Sequence, residues 1–288
     1  MRLILLAASL LLASCSASQE SLHTDGAAVI YGDDSRTDIS SEDLNLQKIA
    51  SAVSVIIEKS KLKPAVDGMI PFTRTLGQSY PLCESEKFQN QPLLGFCTGV
   101  LIGKNKVLTA GHCMDQKNRC AESLFVFGFN ASKAESKVIP LEEIYRCKQV
   151  LKLQNRRGHA DYAVIELDRE VNAEPVALAS EKTYAVGEPL LSLSYPLGLP
   201  LKKDLGRVLR DTEGAMLKME VDTFSGSSGS PLFNAKGALV GILSTGMDDI
   251  LEDDIYRVQT EGGCIEFNRC KNGTCFGETY TKVHGIDL

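Results

Sequence analysis

The chain has 288 residues, of which 43% are hydrophobic, and a formal net charge of -6. A chain of this length and composition can bury a sizeable core as one large domain or two small ones, which excludes a disordered or fibrous protein. The acidic balance and the lack of clustered Lys and Arg argue against a nucleic-acid partner, because binding phosphate needs such clusters.

An export leader is predicted at the N-terminus. Arg2 supplies positive charge, and residues 3–13 form an apolar run far shorter than the roughly 20 residues needed to span a bilayer. Residues 1–14 are therefore predicted to be a signal peptide. The leader ends in Leu-Ala-Ser-Cys, which is similar to a bacterial lipobox and implies that Cys15 is lipidated. The alternative is a secretory leader cut after residues 16–18, with Cys15 discarded.

Lipidation predicts a membrane-anchored protein. Ser16, directly after the lipidated cysteine, lacks the acidic group that usually retains a lipoprotein in the inner membrane. We therefore expect an exported protein on a bacterial outer membrane, or a periplasmic or extracellular one after processing. Residues 15–28 are polar and rich in small side chains, as in a tether or a propeptide.

Short strands dominate the rest of the chain. One helix is predicted after Ser40, which forms a capping pattern with Asp43 before the apolar positions of 44–49. Beyond it, apolar residues alternate or form short runs, separated by Gly, Pro, Asn and Asp. The predicted strands are 53–57, 96–102, 106–110, 124–129, 162–167, 189–194, 217–221, 231–233, 238–244 and 279–283. This pattern predicts an all-β fold, a barrel or a sandwich.

Eight of the nine cysteines follow Cys15. An even set in an exported chain predicts a disulfide framework, in which each bridge typically contributes about 2 to 4 kcal/mol. Zinc binding is the alternative, but the last three cysteines lack the paired spacing of a structural zinc site. Cys120 with Cys147 is one hypothesis for a pair. The residues assign no partners to Cys83, Cys264, Cys270 and Cys275.

Three short motifs carry the chemistry. LTAGHC ends at Cys113, DYAVIEL begins at Asp161, and SGSSGSP surrounds Ser228. A serine hydroxyl is a poor nucleophile, so acyl transfer needs a base to take its proton and a carboxylate to orient that base. We expect Ser228 as nucleophile, His112 as base and Asp161 as the orienting group. The alternatives are a structural histidine and a strand-capping aspartate; His159 lacks such a motif.

These motifs, with VIYGDDSR at 29–36 and YTKV at 280–283, resemble the trypsin/chymotrypsin-like serine peptidases, in particular the bacterial branch that includes the glutamyl endopeptidases. The resemblance implies two antiparallel six-stranded β-barrels, 29–173 with the base and carboxylate and 174–288 with the nucleophile, and an active site in the cleft between them. It also implies a Cys97–Cys113 bridge and peptide or protein substrates. No cofactor or metal ion is expected, and the chain is predicted to be a monomer.

The family pattern Gly-x-Ser-Gly-small-Pro selects Ser228 among the four serines of its motif. The glycines allow the backbone to turn, so that the amides of Gly226 and Ser228 form an oxyanion hole. Ser227 stands where trypsin zymogens have the aspartate that pairs with a newly freed N-terminal ammonium. The trypsin activation switch is therefore not expected. Cleavage before Val29 stays open, and it would release the enzyme from its lipid anchor.

Two interpretations of Asp222 are open. It lies six residues before Ser228, the position of the trypsin specificity carboxylate, and would then select Lys or Arg, with Thr223, Ser244 and Gly246 also binding substrate. In the other interpretation it is a structural aspartate hydrogen-bonded behind the cleft.

Other positions depart from both models of specificity. Leu243 stands where glutamyl endopeptidases usually place a histidine, and Phe224 replaces the cysteine that braces the trypsin pocket. The acidic insert 247–276 is predicted to be a solvated loop stapled by a disulfide. Attraction of basic substrates and calcium binding are the alternatives, although its acids lack EF-hand spacing.

A second hypothesis comes from another functional class. The chain would be a catalytically silent peptidase-fold lipoprotein acting in binding or adhesion, since a fold does not imply an activity. Inactive relatives usually lose one of the three catalytic residues, and this sequence retains all of them.

Overall fold

The structure is a computed structural model, and it describes residues 30–39, 43–71, 73–155, 160–212, 214–246, 257–259, 262–270 and 275–288. The predicted leader, Cys15, the tether, Val29, Ser40, His159 and the acidic stretch 248–254 of the insert lie outside these ranges. Within them, no helix has the length and apolar character required to cross a membrane.

Strands make up most of the described chain. In chain order they are β1 (Ile30–Tyr31), β2 (Thr37–Asp38), β3 (Val53–Glu58), β4 (Leu62–Ala65), β5 (Gly68–Pro71), β6 (Cys97–Gly103), β7 (Lys106–Thr109), β8 (Ser123–Phe127), β9 (Ile144–Asn155), β10 (Asp161–Leu167), β11 (Pro189–Ser194), β12 (Lys202–Asp211), β13 (Met216–Glu220), β14 (Pro231–Phe233), β15 (Leu239–Thr245), β16 (Arg257–Gln259), β17 (Ile265–Phe267), β18 (Arg269–Cys270) and β19 (Glu278–Lys282).

Helices are short. The α-helices are α1 (Leu44–Ala50), α2 (Leu76–Ser79), α3 (Arg119–Glu122) and α4 (Ala131–Glu135), and the 3-10 turns are Lys59–Lys61, Gly111–Cys113, Leu141–Glu143, Pro196–Gly198 and Val283–Gly285. Helix α1 is the one predicted from the sequence. Its N-cap is Asp43, whose carboxylate accepts the Leu46 amide at 3.0 Å, so this aspartate supplies the cap itself.

The first barrel is a closed antiparallel ring in the order β10-β7-β6-β3-β8-β9. Successive residues of its central strand β3 pack in different clusters. Val55 belongs to a cluster that continues into the second half of the chain, whereas Ile56 belongs to one confined to the first barrel. Both faces of this strand are therefore covered, as its run of buried residues requires.

The second barrel has the order β11-β14-β15-β19-β13-β12 and closes because β12 also pairs with β11. The chain passes from the first barrel to the second shortly before β11. Val176 donates its amide to Leu101 of the first barrel, and Ala179 donates to Leu239 of the second. The two closed six-stranded antiparallel barrels confirm the predicted fold class.

The N-terminal segment, residues 30–39, packs on the second barrel. Strand β2 extends the sheet at β12, and β1 pairs with β18 in parallel. The buried ammonium of Lys202 binds the Asp38 carboxylate at 2.7 Å and helps to hold β2 in place. Chain order groups this segment with the first barrel, and it carries no signal of these long-range pairings.

All eight cysteines after Cys15 are paired, which confirms the predicted disulfide framework and rules out the zinc alternative for them. The bonds are Cys83–Cys264, Cys97–Cys113, Cys120–Cys147 and Cys270–Cys275. The second is the pair that the family resemblance implies, and the third is the pair hypothesised from the residues. Cys83–Cys264 joins positions 181 residues apart and fastens the described part of the insert to the body.

Candidate active site

His112 lies in the 3-10 turn that follows β7. Gly111 allows this turn to pass close to its neighbours, since a Cβ there would lie 2.1 Å from the Gln154 carbonyl oxygen and 2.7 Å from Asp161 Oδ1. The bond between Cys97 and Cys113 ties the turn to β6. The imidazole is thus held at the edge of the barrel, with its side chain 36% exposed.

Asp161 begins β10 and is 5% exposed. Its Oδ2 lies 2.8 Å from His112 Nδ1, and its Oδ1 accepts the His112 amide at 3.1 Å. Ser244 Oγ adds a contact of 3.4 Å to Oδ2. These contacts offset the cost of burying a carboxylate. A neutral imidazole that donates Nδ1–H to Asp161 keeps a lone pair on Nε2, as a general base requires.

Burial separates the serines of the nucleophile loop. Ser227 and Ser230 are fully buried, and the Ser230 hydroxyl donates to the Ser227 carbonyl. Ser225 is exposed, and Ser228 is partly exposed. Ser228 is therefore the member of the family pattern whose hydroxyl can meet a substrate while its backbone stays held.

The backbone turns tightly at Gly226, the first of the two predicted oxyanion-hole residues. Gly226 has φ +91°, and a Cβ there would lie 2.7 Å from the Tyr195 carbonyl oxygen, so glycine is required on both counts. Within the described ranges, no backbone hydrogen bond has the Gly226 or the Ser228 amide as its donor. The predicted oxyanion hole requires two such amides.

Thr98 joins the two barrels at this point, and sequence reasoning missed it. Its amide donates to the Ser228 carbonyl at 2.8 Å, and its hydroxyl donates to the Gly226 carbonyl at 2.9 Å. The same hydroxyl accepts the Tyr195 amide at 3.2 Å. A buried threonine next to a cysteine has no distinguishing signal in one sequence, so only the folded chain reveals this role.

The residues predicted to bind substrate do not share one position in the structure. Ser244 contacts the Asp161 carboxylate, so it supports the orienting group. Thr223 is buried, and its hydroxyl donates to the Glu278 carboxylate at 2.7 Å. Gly246 follows β15 and is partly exposed. Leu243 is buried in the core of the second barrel, and its backbone pairs with the nucleophile loop.

Asp222 has the structural role that was the alternative in the sequence analysis. It is 2% exposed, and its two carboxylate oxygens accept the amides of Tyr31 at 2.7 Å and Ser35 at 3.0 Å. Its own amide donates to the Asp204 carboxylate at 2.7 Å. A carboxylate that is buried and occupied by the N-terminal segment does not fit the base of a substrate pocket.

The buried position of Asp222 makes stability depend on pH. Burial, followed by repulsion from the Asp204 carboxylate, raises the pKa of Asp222 to about 7. The folded chain then holds a proton that the unfolded chain releases, so the stabilisation is complete below the unfolded pKa and is lost as pH rises through about 7. We expect this group to lower the free energy of unfolding by up to about 1.4 kcal/mol per pH unit in that window.

Asp222→Asn should remove that slope. Urea unfolding between pH 4.5 and 7.5, in protein inactivated at Ser228 to prevent self-digestion, measures it. Asp168→Asn, which changes an exposed aspartate of the first barrel, is the control and should keep the wild-type slope. Equal slopes in wild type and Asp222→Asn would contradict the assignment.

The described residues contain one group of three potential metal ligands, Cys97, His112 and Cys113, whose ligand atoms lie within 4.8 Å of one another. The two sulfur atoms are already bonded to each other, and the imidazole contacts Asp161. This group is therefore part of the arrangement described above.

The family model of the trypsin-like peptidase domain matches residues 97–242, which include all three motifs. The chain belongs to this family. The glutamyl endopeptidase of Staphylococcus epidermidis is 23% identical over 177 residues, covering 55% of this chain and 57% of that protein. The alignment thus spans little more than half the length of this curated relative.

Solved structures share the fold. A Glu endopeptidase in complex with MPD has a TM-score of 0.52 and 18% identity, covering 88% of this chain and 93% of that one. The Vibrio cholerae VesB protease has a TM-score of 0.51 and 14% identity, covering 88% and 64%. A scabies mite inactivated protease paralogue has a TM-score of 0.50 and 18% identity, covering 83% of this chain and 92% of that one. The fold therefore occurs in proteins named as an endopeptidase or a protease and in one named as an inactivated paralogue.

Proposed function

We propose that this trypsin-like family member is an exported serine endopeptidase that hydrolyses peptide bonds through an acyl-enzyme on Ser228. The observation that supports it most is the pairing of His112 with Asp161, through Nδ1 at 2.8 Å and the amide at 3.1 Å. This pairing orients a base beside a loop whose Ser228 is partly exposed. Disulfides and the leader motif support export.

The chemistry follows from these positions. Ser228 Oγ attacks the substrate carbonyl carbon while His112 Nε2 takes the hydroxyl proton, and the amides of Gly226 and Ser228 bind the oxyanion. Breakdown of the tetrahedral intermediate cleaves the C–N bond, and His112 gives its proton to the leaving amine. Water, activated by the same imidazole, then hydrolyses the ester and restores the serine.

The residue preference at the cleaved bond is a separate proposal. The spacing of Asp222 from Ser228 predicts a basic residue on the acyl side, but the acceptor bonds of that carboxylate support a structural role. Anchoring through lipidated Cys15, and release by cleavage before Val29, are likewise proposals that rest on the sequence motifs.

Peptide-library cleavage tests the proposed function. We expect the protein lacking residues 1–28 to cleave peptides, and an organophosphonate to block cleavage and to modify Ser228, as read by mass spectrometry. Cleavage after Lys or Arg would support the basic preference, and cleavage after Glu would contradict it.

The binding-protein alternative makes the opposite prediction. The inactivated paralogue shows that the fold alone does not decide activity. If protein that is folded and disulfide-bonded shows no peptide cleavage and no phosphonate labelling, that result would favour the silent scaffold.

A further inference from the structure

Arg36, in the N-terminal segment, is buried directly behind the nucleophile loop. It is 1% exposed, and its guanidinium carbon lies 4.3 Å from the centroid of the Phe224 ring. Phe224 immediately precedes the loop 225–229, which carries the candidate nucleophile and oxyanion hole. A cation stacked on this ring is therefore one residue from the start of the catalytic loop.

Asp34 makes this buried cation possible. It accepts Arg36 Nε at 2.9 Å and Nη2 at 2.8 Å, a bidentate pair in which the carboxylate side chain is 4% exposed. Burial by itself raises the pKa of Asp34, but the hydrogen bonds and charge of Arg36 lead to a net lower pKa. The pair thus stays ionised, and it is further bound by the Lys87 ammonium, which donates to the Asp34 and Arg36 carbonyl groups.

Phe224, which Arg36 contacts, is hydrogen-bonded to the loop. Its carbonyl accepts the Ser227 amide at 2.9 Å, and its amide lies 3.4 Å from Ser227 Oγ. Ser227 is fully buried and carries no charge, so this side of the loop offers no carboxylate to a terminal ammonium. The charge that lies against the loop comes instead from Arg36, an internal residue.

The rest of the segment docks without a free N-terminus. The Ile30 amide donates to the Asn268 carbonyl at 3.0 Å, as an ordinary backbone group in β1. Asp222 accepts the amides of Tyr31 and Ser35. All these contacts use peptide groups and side chains that exist whether or not the chain is cut before Val29.

We propose that Arg36, held by Asp34, is a positioning residue that fixes the loop 225–229 in its oxyanion-binding shape. It takes the part that a freed N-terminal ammonium takes in trypsin. The inference rests on the proposed peptidase function and adds its regulation, because the contacts described for Arg36 involve only residues after Val29 and do not require cleavage before it.

Arg36→Ala tests the positioning role. We expect kcat/KM to fall by roughly 100-fold, mainly through kcat, since a small displacement of a catalytic group has an effect of this size. Binding of a peptide aldehyde, which forms the tetrahedral adduct, should weaken in parallel, whereas KM changes little. Added guanidinium ion, at concentrations that leave the wild type unaffected, should restore part of kcat, and ammonium ion should not.

Arg169→Ala is the matched control. Arg169 also stacks on a ring, 4.1 Å from the centroid of Tyr145, and pairs with a carboxylate at 3.2 Å, but it lies in the first barrel. It should keep wild-type kcat. If Arg36→Ala does not fold, Phe224→Leu, which keeps an apolar side chain and removes the ring, should lower kcat in the same way. A folded Arg36→Ala variant with wild-type kcat would overturn the inference. If that variant does not fold, a Phe224→Leu variant with wild-type kcat would overturn it.

A second measurement tests whether cutting the protein's own chain before Val29 changes its activity. Protein that starts at residue 20 and the same protein cut before Val29 should have equal kcat/KM, and a large rise on cutting would overturn the inference. Failure of the two ideas is distinguishable. A wild type that neither cleaves nor reacts with phosphonate ends the peptidase proposal, whereas an active wild type with an equally active Arg36→Ala ends only the positioning role.

Discussion

Ser228→Ala is expected to lower kcat for peptide hydrolysis by roughly a million-fold, because the acyl-enzyme cannot form without the hydroxyl. The fold should be retained. The Ser228 backbone is held by its carbonyl bond to the Thr98 amide, which the substitution does not touch. Steady-state hydrolysis of a peptide identified in the library, with thermal unfolding as the check on the fold, measures both effects.

Ser225→Ala is the control within the same motif. Ser225 is exposed, and its carbonyl, which accepts the Leu197 amide, remains in the variant. It should keep most of the activity. If Ser228→Ala hydrolyses the peptide at the wild-type rate, the proposed mechanism fails. The nucleophile is then another residue, or the activity belongs to a contaminant.

Asp161→Asn is expected to lower kcat by about 10⁴-fold, the size of effect known for an orienting aspartate changed to its amide. The carboxamide can present its N–H₂ group to His112 Nδ1, which then becomes an acceptor and moves the ring proton to Nε2. That tautomer cannot take the serine proton. Phosphonate labelling of Ser228 should slow in proportion, while unfolding shows whether the buried site tolerates the amide.

Two further variants separate orientation from general electrostatics. Ser244→Ala removes one contact of 3.4 Å to the carboxylate and should have a far smaller effect than the asparagine. Asp168→Asn changes a carboxylate of the same barrel that binds Arg146 and Arg169, and it should keep the wild-type rate. A loss in Asp168→Asn comparable to that in Asp161→Asn would argue against a specific role for the latter.

Much of the fold and the candidate site was predictable because their signals are local. Strands show as short alternating apolar runs, and an even set of cysteines in an exported chain predicts disulfides. The predicted oxyanion hole uses residues only two positions apart, Gly226 and Ser228, which share one tight turn. His112 lies between glycine and cysteine, and the structure explains both neighbours by a close passage and a disulfide bond.

The interpretation of Asp222 depended on spacing alone, and spacing does not report which way a side chain faces. Its distance from Ser228 in the chain matches a specificity carboxylate. In the structure its partners are Tyr31 and Ser35, which lie 191 and 187 residues away. The two shortest of these contacts come from backbone amides, which every residue except proline has, so the spacing from Ser228 could not identify them.

The sequence by itself determined the residue types for acyl transfer, the all-β strand pattern and the disulfide framework. Tertiary structure alone decided that Thr98 joins the barrels, that Asp222 holds the N-terminal segment and that Arg36 lies against Phe224. The physical reason is the range of the contacts. The first set shows in local motifs and in the cysteine count, whereas the second joins buried groups far apart in the chain, which meet only when the two barrels and the N-terminal segment pack together.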